Sequence, residues 1–341
     1  MSATTSGHVE LRSDTFTTPT PEMRRAMADA EVGDDEYGED PTVNRLQSLA
    51  AGALGTEAAL YVPSGTMANQ LAIRVHSRPG SEVLCPSRSH VYQYELAASP
   101  QNSGVQLHPL WDVPDGITAA LEGMTHEYPP VSMLVLENTY MAMSGAPTGA
   151  DEMRTLVQLG RDGGLRVHVD GARIWNAAIA TGSSPRDLIG GADSVMFCLS
   201  KGLGAPVGSL LCGSADVIAE AREQRRRLGG GMRQAGVIAA AGVVALETMV
   251  DRLADDHARA RKLADALADR WPGSVDPATI HTNIVCARLE QLPENFIERL
   301  GTAGVRCGTI DPRTVRFVTH KDVNDEDLAR AVAAFDELRA A

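Results

Sequence analysis

The sequence predicts an α/β fold with a large domain built on a mostly parallel central sheet and a small C-terminal α+β domain. Short β-branched runs alternate with longer amphipathic segments over residues 1–249, which is typical of a parallel sheet covered by helices. After Met249 the pattern changes to a long amphipathic helix and two further strands. With 341 residues and 43% hydrophobic composition, the chain can bury the cores of two domains. We expect these domains to span residues 1–249 and 250–341.

The strands predicted for the large domain are short and almost continuously apolar, as in sheets buried on both faces. They lie at residues 58–62, 82–85, 105–110, 131–136, 165–169, 194–199 and 209–212. Ser64-Gly65-Thr66 follows the first strand and predicts a helix that runs to about His76. Ligands of such sheets bind beyond the carboxyl ends of the strands, so the residues that follow each strand are candidates for a site.

In the small domain, apolar residues recur at helical spacing from Leu253 to Trp271, and Pro272-Gly273 ends this helix. Residues 283–289 and 314–319 predict strands. Asn324 is a suitable N-cap for a last helix with an apolar face.

Composition excludes several classes of partner. The net charge of −13 argues against nucleic acid and against an anionic membrane surface. The longest apolar stretch, residues 235–246, is too short to cross a bilayer. The five cysteines are scattered without a Cys-x-x-Cys pair, and the first residues lack the features of a signal peptide. We therefore expect a cytoplasmic protein, and no metal site is predicted.

Lys201 and Asp170 are the first candidates for a catalytic pair. Lys201 follows an apolar strand between Ser200 and Gly202, and Asp170 ends another strand 31 positions earlier. An enzyme that uses pyridoxal 5'-phosphate (PLP) needs a lysine amine for a Schiff base and a carboxylate that keeps the ring nitrogen protonated. Taken singly, the two residues are also consistent with a surface lysine and a helix N-cap. Together they indicate a PLP site.

Three further positions fit the same chemistry. Gly65 and Thr66 lie at a strand-to-helix junction, where backbone N–H groups and a hydroxyl can hold a phosphate. Arg173 offers a guanidinium fork to a substrate carboxylate, or to a structural ion pair. His90 can place an aromatic face against the cofactor ring, although a lone histidine is more often structural.

In their order along the chain, these motifs resemble the L-threonine aldolase branch of the fold-type-I, aspartate-aminotransferase-like PLP enzymes. The resemblance spans nearly the whole chain through motifs at residues 11–15, 32–42, 64–69, 136–139, 168–173, 199–204, 229–234 and 315–320. It implies a fold-type-I PLP-dependent transferase-like fold. It also implies cleavage of L-threonine, L-allo-threonine or a related L-β-hydroxy-α-amino acid to glycine and an aldehyde.

The resemblance implies a role for each matching residue. Lys201 would carry the cofactor, Asp170 would pair with the ring nitrogen and His90 would stack on the ring. The other cofactor-binding residues would be Gly65, Thr66, Ser200 and Arg173, together with Arg233 from a neighbouring subunit. The substrate would be bound by Ser13, Arg173, Arg316, Tyr37 and Tyr140. The family also implies a homo-oligomer, a tetramer whose sites are shared across a dimer interface, with Tyr37 supplied by the partner chain.

Tyr140 is the main departure from the family, which has a histidine directly after Glu-Asn-Thr. A phenol titrates near pH ~10 and an imidazole near ~6.5, so Tyr140 is a poor general base at neutral pH. It can still hydrogen-bond a hydroxyl or an aldehyde oxygen. The candidates for the general base are Tyr140, His90, a bound water and the cofactor phosphate. Tyr140 and the apolar residues 141–143 keep open a PLP-dependent β-eliminating lyase or dehydratase. A non-catalytic PLP-binding protein is the alternative of another class.

Overall fold

Helices and strands alternate along the computed structural model, which describes residues 7–123 and 127–340. The strands are β1 (Val9–Glu10), β2 (Ala58–Val62), β3 (Glu82–Pro86), β4 (Gln106–Leu110), β5 (Val131–Glu137), β6 (Arg166–Asp170), β7 (Ser194–Cys198), β8 (Ser209–Gly213), β9 (Ile284–Arg288), β10 (Val305–Arg306), β11 (Gly308–Asp311) and β12 (Thr314–Val318). The α-helices are α1 (Pro21–Ala28), α2 (Pro41–Leu54), α3 (Gly65–His76), α4 (His90–Gln93), α5 (Ala98–Ser103), α6 (Val113–Glu122), α7 (Ala150–Asp162), α8 (Ile174–Thr181), α9 (Pro185–Leu188), α10 (Ala215–Arg227), α11 (Gly236–Thr248), α12 (Leu253–Arg270), α13 (Phe296–Thr302) and α14 (Asp325–Ala340). Short 3₁₀ helices occupy Asp14–Phe16, Asp35–Tyr37, Met141–Met143, Pro277–Thr279 and Leu289–Gln291.

The large sheet has the strand order β2-β8-β7-β6-β5-β3-β4. Strands β4, β3, β5, β6 and β7 are parallel to one another, and β8 is antiparallel to both β7 and β2. Every residue of β7 and β8 is buried, as expected for strands covered on both faces. The prediction of an α/β fold with a mostly parallel sheet is therefore confirmed.

All seven strands predicted for this sheet are present, and their ends differ from the prediction by at most one residue. The differences matter at two strand ends, because β5 extends to Glu137 and β6 to Asp170. The parallel register pairs Glu137 with Asp170, which places the two carboxylates side by side at the carboxyl edge of the sheet. Both strands therefore end in an acidic residue at this edge.

A second, three-stranded sheet has the order β11-β12-β9 and is antiparallel throughout. Its core includes Phe296, Phe317 and Phe335, whose rings pack together, and Trp271 packs against Phe296 and Phe335. Helices α12 and α14 pack together beside it, and the Asn324 side chain caps α14, as predicted, by accepting a hydrogen bond from the Asp327 N–H at 2.8 Å.

The start of the described chain joins this second core. Strand β1 pairs in parallel with β10, and both Val9 and Leu11 are buried among the residues of the second core. Neither two-residue strand has a periodic pattern that would predict it. The division into residues 1–249 and 250–341 stays a prediction.

Helix α11 carries the most apolar stretch of the sequence and packs against α1 and α2 beside the large sheet. It has 13 residues. Among the helices of the described residues, none combines the length and the apolar character that crossing a membrane requires.

Candidate active site

A cavity of about 240 Å³ lies at the carboxyl ends of the parallel strands, where ligands of such sheets bind. Its wall is formed by the ends of β5 and β6, the loop after β7 and the first turn of α3. The sequence-predicted residues that line it are Gly65, Thr66, His90, Asp170, Arg173, Ser200 and Lys201. Residues separated by more than 100 positions in the sequence are thus brought to one place by the order of the strands.

Asp170 is a buried carboxyl group of this cavity, with 2% of its surface exposed. Its Oδ2 accepts a hydrogen bond from Asn69 Nδ2 at 2.8 Å, and its Oδ1 accepts one from the Ala172 N–H at 3.0 Å. These two donors hold the carboxyl group in a fixed position. Each oxygen keeps a further lone pair for a donor inside the cavity.

Lys201 is held in place through its backbone. Its carbonyl accepts hydrogen bonds from the Thr17 hydroxyl at 3.0 Å and from the Gly204 N–H at 2.9 Å. The side chain belongs to the cavity wall, and no carboxylate of the described residues forms an ion pair with its amine, although its charge acts on the nearby Asp14. An amine that is not committed to a carboxylate remains free for chemistry with a ligand.

The first turn of α3 approaches β7 closely because residue 65 is a glycine. A Cβ at Gly65 would lie 2.8 Å from Met196 Cε and 2.9 Å from Cys198 Sγ. The first N–H groups of a helix have no intrahelical acceptor, and they favour an anion. The backbone N–H groups of Gly65 and Thr66 therefore lie at the cavity wall as donors for an anion such as a phosphate.

His90 begins the short helix α4, and its ring is held by a buried glutamate. Its Nδ1 lies 2.8 Å from Glu95 Oε1, and since a carboxylate only accepts, Nδ1 carries the proton. Burial alone would lower the pKa of His90, but the hydrogen bond to Glu95 and the charge of Asp170 raise it above its ordinary value. Glu95 was not predicted as a site residue, although it lies only five positions from His90.

Glu137 also lines the cavity and was not predicted. Its two oxygens accept hydrogen bonds from the backbone N–H groups of His90 at 2.8 Å and Met141 at 3.0 Å. Burial and the neighbouring charge of Asp170 raise the pKa of Glu137 to about 7, against the effect of these hydrogen bonds. A glutamate at the end of an otherwise apolar strand was the signal available in the sequence.

Arg173 lies beside the cavity in a buried ion pair. Its Nε donates to Asp14 Oδ2 at 2.8 Å and its Nη2 donates to Asp14 Oδ1 at 2.6 Å. Asn283 adds a third hydrogen bond to this carboxylate at 3.2 Å. Burial by itself would raise the pKa of Asp14, but the charge of Arg173 and these hydrogen bonds hold it well below its usual range. One side of the Arg173 fork is thus already occupied.

Arg316 is a second cation near Arg173, and its donors are incompletely paired. Its Nη2 donates to the Arg12 carbonyl at 3.1 Å and its Nη1 contacts Met141 Sδ at 3.3 Å. Its Nε is buried and finds no acceptor among the described residues. Burial and the positive charge of Arg173 lower the pKa of Arg316. Together, Arg316, Arg173 and Asp14 carry one net positive charge, which matches a single carboxylate.

Ser13 contributes to this arrangement by capping the turn that carries Asp14. Its hydroxyl accepts hydrogen bonds from the Thr15 N–H at 3.2 Å and the Thr15 hydroxyl at 2.9 Å. It thereby caps the 3₁₀ helix that begins at Asp14. Ser13 and Arg316 lie outside the residues that line the cavity.

Tyr140 is half-buried in the loop that follows β5, and it also lies outside the cavity lining. Its Oη accepts a hydrogen bond from the Arg88 N–H at 3.2 Å, which leaves its own proton to donate. Burial and the nearby Glu137 raise the pKa of the Tyr140 phenol above its ordinary value. This electrostatic setting agrees with the expectation that Tyr140 is a poor base.

Tyr37 and Arg233 lie together on the surface rather than in the cavity. Arg233 pairs with Glu36 at 2.5 Å and Asp34 at 3.4 Å, and its side chain is 59% exposed. Tyr37 is 77% exposed in the same acidic loop. Within one chain, the structure does not bring these two residues to the site.

Comparison with known proteins agrees with the resemblance seen in the motifs. The profile of the beta-eliminating lyase family matches residues 10–290. Low specificity L-threonine aldolase of Escherichia coli O157:H7 is 39% identical over 95% of this chain and 97% of its own. Low-specificity L-threonine aldolase 1 of Arabidopsis thaliana is 38% identical, with 96% of both chains covered.

Among solved structures, the threonine aldolase of Leishmania major has a similar fold, with a TM-score of 0.83. It is 19% identical in sequence, and the match covers 97% of this chain and 99% of that one.

Proposed function

Since the chain belongs to the L-threonine aldolase branch of the beta-eliminating lyase family, we propose that it is a PLP-dependent lyase acting on L-threonine, L-allo-threonine or a related L-β-hydroxy-α-amino acid. The products are glycine and an aldehyde. One observation carries the proposal: Lys201, the buried Asp170 and Arg173 line one cavity, and Arg173 is paired with Asp14 and lies near Arg316.

The residues of the cavity fit PLP. The N–H groups of Gly65 and Thr66, with Ser200, would hold the phosphate, and Asp170 would accept a hydrogen bond from the protonated ring nitrogen. The Thr139 hydroxyl lines the cavity, is buried and has no partner among the described residues, so it is available to the cofactor. When bound, PLP supplies an aldehyde that takes the substrate amine and a cationic ring that accepts the electrons released at Cα.

Arg316 and Arg173 would bind the substrate carboxylate. Arg173 is fixed by Asp14 on one side and keeps its remaining N–H groups for a ligand, while Arg316 has a buried, unpaired Nε. Two guanidinium groups at one carboxylate set the direction of the substrate in the site. Ser13 would act here indirectly, because it caps the turn that carries Asp14.

Tyr140 would act on the β-hydroxyl as a hydrogen-bond donor. Its Oη already accepts a hydrogen bond from Arg88, and its pKa is raised, so donation is favoured over proton removal. The proton acceptor stays open among His90, a bound water and the cofactor phosphate. Lys201 would hold the cofactor until the substrate amine replaces it.

We also propose that the protein forms a homo-oligomer, a tetramer in which dimer partners share their sites. Tyr37 and Arg233 support this, because both are exposed and lie outside the cavity of their own chain. In a dimer, Arg233 would reach the phosphate of the partner's cofactor. The net charge of −13 supports a protein without a nucleic-acid or membrane partner, and the scattered cysteines support a cytoplasmic location.

The product of the reaction tests the proposal. Purified holoenzyme is incubated with L-threonine, L-allo-threonine and a β-hydroxy aromatic L-amino acid, and glycine and aldehydes are quantified by chromatography. Lys201→Ala is the control and should release no glycine. Ammonia and a 2-oxo acid without glycine would instead identify the β-eliminating lyase or dehydratase, which the change from histidine to Tyr140 keeps as the second candidate. A cofactor spectrum that no amino acid alters would identify a non-catalytic PLP-binding protein.

A further inference from the structure

A line of hydrogen bonds crosses the large domain from one end of its sheet to the other. His76 Nε2 lies 2.9 Å from Ser194 Oγ, which in turn lies 2.8 Å from His168 Nδ1. His168 Nε2 lies 3.1 Å from Asn69 Oδ1, and Asn69 Nδ2 lies 2.8 Å from Asp170 Oδ2. We call these five residues the Asp170 network. It begins at a groove of about 870 Å³ lined by His76 and ends at the candidate active site.

The direction of every proton in the network follows from Asn69. Its Nδ2 group donates both protons to carboxylates, one to Asp170 and one to Glu95 Oε1 at 2.8 Å. Its Oδ1 therefore faces His168, so His168 Nε2 is the donor and Nδ1 the acceptor. Ser194 must then donate to His168 and accept from His76. Each donor points toward the active site, and the opposite direction would place an amide oxygen against two carboxylates.

Burial keeps the network uncharged before it reaches Asp170. Asn69, His168 and Ser194 are at most 1% exposed. Burial, with the neighbouring His76, lowers the pKa of His168 to about 3, and burial lowers the pKa of His76 to about 4. Both imidazoles are therefore neutral at neutral pH, and a neutral imidazole has the one donor and one acceptor that the network needs.

A neutral donor suits a carboxylate that must pair with a protonated ring nitrogen. A lysine or arginine beside Asp170 would compete with the ring for the negative charge. The Asn69 amide fixes the carboxylate in position without neutralising it. The same amide also donates to Glu95, which holds the His90 ring. Asn69 therefore positions both groups that would contact the cofactor ring: Asp170 directly, and His90 through Glu95.

The bridging amide also accounts for a cluster that could otherwise hold a cation. Ligand atoms of His90, Glu95 and Asp170 lie within 4.8 Å of one another. Asn69 Nδ2 lies 2.8 Å from an oxygen of each carboxylate and occupies the position between them. The cluster is thus a hydrogen-bonded unit that contains a neutral donor.

We propose that Asn69 and His168 are positioning residues that hold the Asp170 carboxylate aimed at the ring nitrogen of the bound cofactor. His168 acts through Asn69, because its Nε2–H donates to the amide oxygen and holds the side chain in place, and Ser194 and His76 complete the hydrogen bonds of His168. The proposal rests on the proposed function, because the ring nitrogen belongs to PLP. A purely structural network would also contain these hydrogen bonds, because buried polar groups need partners in any folded protein. The test must therefore measure a property of the cofactor ring as well as stability.

His168→Gln and His168→Asn form a matched pair for this test. The amide nitrogen of Gln can occupy the position of Nε2 and donate to Asn69, whereas that of Asn lies near the position of Nδ1 and leaves Asn69 Oδ1 without its donor. Each holoenzyme is prepared with PLP labelled with ¹⁵N in the ring, and the ¹⁵N chemical shift is followed against pH. The PLP dissociation constant, kcat, KM for L-threonine and the melting temperature are measured in parallel.

We expect H168Q to resemble the wild type and H168N to lower kcat about tenfold at unchanged KM, which is the effect of one lost hydrogen bond. The ring nitrogen of H168N should lose its proton at a lower pH than that of H168Q. Asn69→Ala removes the donor to Asp170 itself and should lower kcat by roughly tenfold to a hundredfold, as for a hydrogen bond to a charged group. It also carries the test if H168N does not fold.

The proposal is overturned if the ring nitrogen titrates alike in H168N, H168Q and N69A, or if kcat falls only in proportion to folded protein. A separation of the ring titrations without glycine release by the wild type would support the positioning role and defeat the proposed aldolase function. Glycine release by the wild type with identical ring titrations would do the reverse.

Discussion

The buried ion pair between Asp14 and Arg173 provides the most direct test of the site's energetics. We consider the change Asp14→Asn, which keeps the shape of the side chain and removes its charge. Asp14 is fully buried and Arg173 is 7% exposed. The change leaves Arg173 without a counter-ion and places it close to the second cation, Arg316.

The expected cost is that of breaking a buried pair from one side, about 3–5 kcal/mol in the free energy of unfolding. The carboxylate accepts two hydrogen bonds from Arg173 and one from Asn283, and an amide can satisfy only some of them. For 341 residues, an unfolding entropy of about 2.1 cal/mol/K per residue converts this cost to a fall of roughly 4–7 °C in Tm.

The assay is urea unfolding and calorimetry at pH 7 with saturating PLP for every variant, arranged as a double-mutant cycle. Asp14→Asn, Arg173→Met and the double variant are compared, and we expect the double variant to lose at least about 2 kcal/mol less than the sum of the single variants. Glu223→Gln is the control, because its partner Arg227 lies at 3.7 Å and both side chains are more than 60% exposed. It should change stability by no more than about 0.5 kcal/mol.

The reasoning fails if Asp14→Asn costs no more than Glu223→Gln, or if the losses of the two single variants add. Either result would mean that the pair is not a coupled unit in the low-dielectric interior. It would also remove the argument that the cluster offers one net positive charge to a substrate.

Arg316→Gln should raise KM for L-threonine at least about tenfold while the PLP dissociation constant stays unchanged, since it removes a charge-assisted contact. Tyr140→Phe should lower kcat about tenfold and leave the pH dependence of kcat unchanged, because a donor and not a base is lost. His76→Gln should remove part of the acid destabilisation. The pKa of His76 is lowered to about 4 in the folded protein, so the unfolded chain binds a proton at this histidine below about pH 6.5 and the folded chain does not. In urea unfolding between pH 7 and 4, the wild type should lose up to about 3 kcal/mol more of its free energy of unfolding than the variant. Gly171→Ala should cost about 1–3 kcal/mol by calorimetry, because its Cβ would lie 2.7 Å from the Met196 carbonyl oxygen.

Each of these expectations has a contrary result. A shared rise of KM and of the PLP dissociation constant would place Arg316 at the cofactor instead of the substrate. A limb that disappears from the pH profile of Tyr140→Phe would make Tyr140 the base after all. Equal acid destabilisation of wild type and His76→Gln would show that His76 is charged in the folded protein. An unchanged Tm for Gly171→Ala would show that the backbone there can yield.

The sequence predicted those parts of the site that depend on local pattern. Lys201 and Asp170 follow strands whose apolar runs are readable, and parallel strands bring their carboxyl ends to one edge. The predicted strand ends were accurate to one residue because turn and helix signals flank each run.

Contacts between distant residues lay beyond such patterns. Asp14 and Arg173 are 159 positions apart, and nothing in either neighbourhood indicates that they pair. Asn69 and Asp170 are 101 positions apart, and their amide–carboxylate contact depends on how α3 crosses the sheet. Strands β1 and β10 are two residues long, too short for any periodicity. Tyr37 and Arg233 need a second copy of the chain before their role can be tested.

The segment from Val9 to Asp14 connects the core of the second sheet to the candidate active site of the large domain. It pairs with β10, its Leu11 carbonyl accepts the Val318 N–H at 2.9 Å, and it then delivers Asp14 to Arg173. A truncation beyond residue 14 would therefore strip the counter-ion from the site as well as a strand from the second core.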